Sequence, residues 1–206
     1  MTSFDPSSTA VIGVHLQNDV VGPDGAFAGF FRTEIERTGV LGTVARLLDG
    51  ARAAGATVVY TRVAWKADHS DLDANSPILG IVAQTKCLTD DTPGAAITDE
   101  VTPAAGDTVV THQRVGGFQS SELDAVLRGA GIDTVVFTGV ATNFSVEGTA
   151  RAASDLGYRT VVVSDACSAA SDAVHSASLE SLGLLAEIVT TDELLAGLSA
   201  TAEANA

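Results

Sequence analysis

Short runs rich in Val, Ile and Thr alternate with longer Ala- and Leu-rich stretches along the chain. The runs Thr9–His15, Thr57–Val63, Asp107–Gln113, Thr134–Val140, Arg159–Asp165 and Glu187–Thr190 predict strands. They are apolar almost throughout rather than alternating with polar residues, as strands covered on both faces must be. Helices are predicted over Arg32–Gly55, Ser120–Ala130, Asn143–Leu156, Asp172–Leu185 and Thr191–Leu198. Ser171 or Asp172 can cap a helix start, Gly55, Gly131 and Gly157 stand where a terminating glycine belongs, and Asp192 and Glu193 load acids into a first turn. This β-α alternation implies right-handed crossovers and a three-layer, doubly wound α/β fold with a mainly parallel sheet of about six strands. In such sheets ligands bind outside the carboxyl ends of the strands, so the residues that end strands are the ones to inspect.

Two stretches do not read as simple crossovers. Val20–Phe31 is Gly-rich with three phenylalanines, and Ala64–Gly106 is long and of mixed charge. Both carry apolar residues to bury, so they are expected to fold over the sheet edge rather than form disordered linkers. With no repeat or linker-like run, the 206 residues are expected to form a single domain, 1–206, with a frayed tail over 200–206.

Composition narrows the classes of function. A net charge of −15 disfavours nucleic acid and anionic membrane surfaces as partners. The first residues lack a basic region followed by an apolar one, and no stretch approaches ~18 uninterrupted apolar residues, so a cytoplasmic protein is expected. Cys87 and Cys167 are far apart and in no metal-binding spacing, which predicts buried filler rather than a disulfide or zinc site.

The chemistry gathers at three strand ends. The first predicted strand ends at His15, followed by Leu16-Gln17-Asn18-Asp19; the third ends near His112, followed by Gln113-Arg114 and Gly116-Gly117-Phe118. The fourth runs into Gly139-Val140-Ala141-Thr142-Asn143-Phe144-Ser145 and then a helix of small residues. A strand turning at once into a helix holds a side chain and backbone N–H groups over the sheet edge, a geometry suited to a nucleophile and its oxyanion. Two imidazoles near the Ser145 hydroxyl would supply a base and a group that orients or polarises it. The bland alternative for each His is a satisfied core or surface residue.

These segments resemble the isochorismatase-like hydrolases, also called the cysteine hydrolase superfamily. The resemblance rests on His15-Leu16-Gln17-Asn18-Asp19, Thr92-Pro93-Gly94-Ala95, His112-Gln113-Arg114 with Gly116-Gly117-Phe118, Thr138 through Arg151, and Val163-Ser164-Asp165-Ala166 with His175. It runs from Thr9 to about Leu195, nearly the whole chain. The family's Asp, Lys and Cys fall on His15, His112 and Ser145, so all three catalytic positions are changed while their surroundings are kept. In the family the Asp takes the thiol proton while the Lys lowers the thiol pKa; a serine hydroxyl is far less acidic, is not activated by a nearby cation alone and needs a base. His112 in the Lys position is the expected base, and His15 the orienting or acid group, with at most one of the two charged at neutral pH. Asp19 is either a source of negative charge or a structural carboxylate.

The resemblance further implies an oxyanion site from the backbone N–H groups of Ala141 and Ser145, with a cis peptide between Val140 and Ala141. Gln17, Phe27, Trp65 and Phe118 are the candidates for the pocket wall. One branch of the fold holds zinc after its second strand, but here Asp68 and His69 lack a second nearby His, so no metal and no cofactor are expected. The reading is a homodimeric or homotetrameric hydrolase of a small amide, ester or related acyl substrate. Two alternatives stay open: acid–base hydrolysis without a covalent intermediate, on an enol-ether-type substrate, and a catalytically inactive protein that binds a small molecule or serves in an assembly. A neutral imidazole acting as base predicts a rate that rises with pH through a step near neutrality, since the unperturbed value is ~6.5.

Overall fold

The computed structural model describes residues 2–204, with side chains described as far as Ala200. The strands are β1 (Thr9–Val14), β2 (Thr57–Val63), β3 (Thr108–His112), β4 (Thr134–Val140), β5 (Arg159–Ser168) and β6 (Glu187–Val189). They form one sheet in the order β3-β2-β1-β4-β5-β6, with every pairing parallel. The helices are α1 (Asn18–Val21), α2 (Ala28–Thr38), α3 (Val40–Ala53), α4 (Pro77–Thr85), α5 (Leu123–Gly129), α6 (Glu147–Asp155), α7 (Asp172–Leu182) and α8 (Thr191–Ala204). Of the expected frayed tail, the backbone to Ala204 continues α8, and residues 205 and 206 lie outside the described residues.

The period of two along each strand divides the core into two layers. Val11, Val58, Tyr60, Val136, Val161 and Val163 face one way, against Val44, Leu47 and Leu48 of α3 and Leu194 and Leu198 of α8. Ala10, Ile12, Val59, Val135, Phe137 and Val162 face the other way, against Leu123 and Leu127 of α5, Ala150 and Ala153 of α6 and Leu182 of α7. Apolar residues on both faces of a parallel strand are what helices on both sides of the sheet demand.

Several elements differ from the sequence expectation, three of them in ways that shape the fold. The single helix expected over Arg32–Gly55 is two, because Gly39 adopts φ 63 and ends α2 before α3 begins. A left-handed residue at that position breaks the run of helical hydrogen bonds, and glycine adopts it without steric cost. Helix α4 was not expected at all: Pro77 opens it, and Leu79 and Val82 are buried within the long segment after β2. β5 continues past Asp165 to Ser168, with Gly139 opposite Cys167 after a register shift at Phe137. β3 does not adjoin β1, since β2 lies between them. The chain reverses its direction of sheet growth between β1 and β4, and the carboxyl ends of these two strands open the crevice where ligands of such sheets bind.

Candidate active site

β1 ends at Val14, and His15 follows with φ 51 while its N–H donates to the Thr61 carbonyl oxygen at 3.0 Å. Positive φ is uncommon for a non-glycine residue, and here it turns the chain out of the sheet at the crevice. β4 ends beside it. Gly139 has φ 119, and a Cβ there would lie 2.2 Å from the Val14 carbonyl oxygen, so only glycine lets β4 pass this close to the end of β1. The following Val140–Ala141 peptide is cis, as the resemblance implied.

The chain then makes a π-turn over Thr142–Val146, in which Val146 N–H donates to the Ala141 carbonyl oxygen at 3.2 Å. π-turns of this kind concentrate at functional sites. Side chains clamp the turn on several sides. The Thr149 hydroxyl donates to the Ser145 carbonyl oxygen and accepts from Gly117 N–H at 2.9 Å, which ties the loop after β3 to α6. The Ser178 hydroxyl contacts the Thr142 carbonyl oxygen at 3.2 Å and Glu147 Oε2 at 2.6 Å. Thr142 Oγ1 lies 2.8 Å from His175 Nδ1, which gives the fourth histidine a positioning role that the motif match alone did not state. Ser145 is thereby fixed and largely buried.

His15 and Ser145 line one cavity together with Ala141. His112 is not part of its wall. It packs behind His15 with Nε2 2.9 Å from His15 Nε2 and the rings 4.9 Å apart. The carboxyl end of β3 therefore reaches His15 across β2, through side chains. Burial, and then the neighbouring His112, hold the His15 pKa well below its ordinary value. Burial lowers His112 to about 4; a backbone contact with Arg114 opposes this, yet no hydrogen bond of proper geometry reaches its Nδ1. Both rings are consequently neutral at pH 7, one Nε2 donating and the other accepting. This places the protonation of the pair in the acid range, below the near-neutral step that an unperturbed imidazole predicts.

The four candidates for the pocket wall divide evenly. Phe27 and Trp65 line the cavity with Val20, Phe31 and Phe144. Gln17 does not: its Nε2 donates to the Val63 and Ala95 carbonyl oxygens at 2.7 and 2.8 Å, and its Oε1 accepts from Val63 N–H. A fully buried amide with these bonds is a brace between loops, with its donors and acceptor already committed. Phe118 stacks on Tyr158 at 6.0 Å against the opposite core layer. Leu79 and Val82, absent from the candidates, enter the wall from α4, as does neighbouring Ile78. Their signal was Ser76-Pro77 followed by apolar residues at helical spacing.

The remaining polar candidates are structural. Asp19 Oδ2 accepts from Leu88 N–H at 2.7 Å, and a Cβ on Gly94 would strike that carboxylate, so it pins two loops together. His69 Nε2 lies 3.0 Å from the Cys87 carbonyl oxygen, and its ring stacks on Trp65. Among the described residues no group of three His, Cys, Asp or Glu side chains is placed to hold a metal ion. Cys167 is buried on β5 with its thiol pushed up to about 12, and burial also raises the thiol of Cys87.

Comparison with known proteins agrees with this geometry. Residues 9–193 match the model of the Isochorismatase domain. Ureidoacrylate amidohydrolase RutB of Methylobacterium radiotolerans is 33% identical over 198 residues, which covers 87% of this chain and 75% of that protein. A cysteine hydrolase from Pseudomonas syringae pv. phaseolicola superposes with a TM-score of 0.87 at 27% identity, over 98% of this chain and 97% of its own. N-carbamoylsarcosine amidase from Thermoplasma acidophilum superposes with a TM-score of 0.74 at 27% identity, over 91% of this chain and 98% of its own.

Proposed function

The chain belongs to the isochorismatase family of hydrolases, and we propose that it cleaves a small amide, ester or related acyl substrate in the cavity shared by His15 and Ser145. That shared cavity is the observation that carries the proposal. Two relatives are named for amide hydrolysis, an amidohydrolase and an amidase, which supports the same bond type here. Ser145 attacks the carbonyl carbon; the C–N or C–O bond then breaks as the proton taken from the hydroxyl passes to the leaving amine or alkoxide, and water cleaves the acyl-serine to the free acid. The backbone N–H groups of Ala141 and Ser145 receive the developing oxyanion, as preorganised donors do in acyl transfer.

The placement of the histidines supports an exchange of the roles expected from the sequence, where His112 was the base and His15 the orienting or acid group. His15, on the cavity wall, takes the serine proton; His112, behind it, orients its ring through the 2.9 Å Nε2 contact. For His15 to keep a free lone pair on Nδ1, its Nε2 must carry the hydrogen and donate to His112. A neutral pair avoids two adjacent cations, but a proton arriving on His15 meets no carboxylate among the described residues of the cavity wall. A second reading, in which the imidazoles activate water and Ser145 only hydrogen-bonds the substrate, puts the same proton on His15 and is separated from covalent attack by the behaviour of the Ser145 variant.

Ammonia release from a panel of small amides, and acid release from the matching esters, tests both. His15→Ala is expected to lower the rate by about 10²–10⁴, the usual range for a positioned acid–base group. A comparable loss in Ser145→Ala supports covalent attack, whereas a nearly unchanged rate in that variant selects the water mechanism. Full activity in both variants would overturn the site. We also infer a cytoplasmic homodimer or homotetramer, and sedimentation of the purified protein tests the association. Among the described residues no helix is long and apolar enough to cross a membrane.

A further inference from the structure

The walls of the cavity select among acyl substrates. Apart from His15, Ser145, Arg114 and the indole N–H of Trp65, which is buried without a partner, its side chains are apolar, with Val20, Phe27, Phe31, Leu79 and Val82 forming much of the surface. The cavity is open to solvent on one side, and its enclosed part has room for about 50 Å³ of water centres. Arg114 is the one side chain of this wall charged at neutral pH, and its Nη2 already pairs with Asp73 Oδ2 at 3.3 Å. The protein as a whole carries −15, a field that repels anionic ligands.

A ureido group or a carboxylate entering this space would lose its water and find, among the side chains other than His15 and Ser145, only Arg114, already paired with Asp73, and the Trp65 N–H. Such burial is unfavourable unless hydrogen bonds replace the lost hydration. The hydrocarbon of an aliphatic acyl group loses no such hydration and gains by leaving water, while its carbonyl exchanges water for the N–H donors at Ser145. We propose that the physiological substrate class is neutral: a short aliphatic acyl group, straight or branched, in amide or ester linkage, with its carbonyl at Ser145 and its hydrocarbon against Phe27, Phe31 and Leu79. This rests on the hydrolase reading above for the bond that is broken, and goes beyond it in naming what is recognised. It also separates this chain from the ureido and carbamoyl chemistry in the names of its relatives.

Trp65 is the sole tryptophan of the chain and lines the cavity, so its fluorescence reports occupancy without any turnover. The unmodified protein is titrated with isobutyramide, with succinamate, which adds a carboxylate, and with N-carbamoylglycine, which carries both a ureido group and a carboxylate. Calorimetry supplies the affinities, and ammonia release is followed separately. Isobutyramide is expected to bind at least about tenfold more tightly than either charged compound, because only those must bury a poorly paired charge. Equal or tighter binding of succinamate or N-carbamoylglycine would overturn the assignment, and so would absence of any binding by isobutyramide. The two levels fail differently. If isobutyramide binds selectively but is not cleaved, recognition stands and the hydrolytic site does not; if only the charged compounds are cleaved, the hydrolase stands and this substrate class falls.

Discussion

Burying two imidazoles side by side makes the stability of the fold depend on pH in a defined direction. The pKa of His112 falls from the ordinary 6.5 to about 4 in the folded protein, chiefly through burial. Between these values the unfolded chain binds a proton that the folded chain refuses, so stability is complete above about pH 6.5 and is lost as the pH falls toward 4. The full shift corresponds to ~3 kcal/mol, of which about 2 kcal/mol is lost between pH 7 and pH 5. His15 is lowered in the same direction and adds to the loss. Urea unfolding followed by circular dichroism at pH 7 and pH 5 measures this directly. The double variant His15→Asn/His112→Gln removes both titrations while leaving the carboxylates in place, so the difference between the two proteins isolates the histidines. The native protein should lose at least about 2 kcal/mol more than the variant between these pH values. Superimposable pH dependence in the two would refute the claim that the pair is neutral and buried.

The same shifts apply to turnover: the rate should be flat from pH 6.5 to 8 and fall in acid, below the near-neutral step of an exposed imidazole, and a midpoint at or above ~6.5 would contradict the lowered values. Iodoacetamide at pH 7 should leave activity intact and label the folded chain slowly, because burial raises the thiols of Cys87 and Cys167; rapid stoichiometric labelling with inactivation would show that a cysteine is the nucleophile after all. Asp107→Ala should cost about 2–3 kcal/mol in urea unfolding, since the Asp107 side chain is 6% exposed and accepts from Arg52 Nη2 at 2.7 Å, and a loss under ~0.5 kcal/mol would reduce the pair to surface decoration. Gly139→Ala should collapse the yield of folded protein, because the added Cβ would sit 2.2 Å from the Val14 carbonyl oxygen at φ 119, and a variant with native unfolding and activity would contradict that geometry.

What the sequence disclosed and what it hid divides along the range of the forces involved. The strands were legible because double-faced burial writes itself as unbroken apolar runs, and five of the six begin or end within a residue or two of those runs; β5 overran by three residues because its pairing with β4 resumes after an irregularity at Phe137. The carboxyl-end crevice followed from topology, whereas the expectation that His15 and Ser145 share it leaned on the family resemblance as well. The 2.9 Å contact between His15 and His112 was less accessible, since β3 is two strands from β1 and only long side chains close the gap. Gln17 and Phe118 lie at the right places in the chain, yet the Gln17 amide braces Val63 and Ala95 and Phe118 stacks on Tyr158. A residue's position near a strand end fixes its backbone, but the free direction of its side chain is decided by which partner satisfies it first. That rule also accounts for the cavity itself. With Gln17, Asp19 and His69 spent on backbone groups of the surrounding loops, the polar atoms near the crevice are drawn into holding its walls, and the interior is left to Phe27, Phe31, Trp65 and the apolar residues of α4.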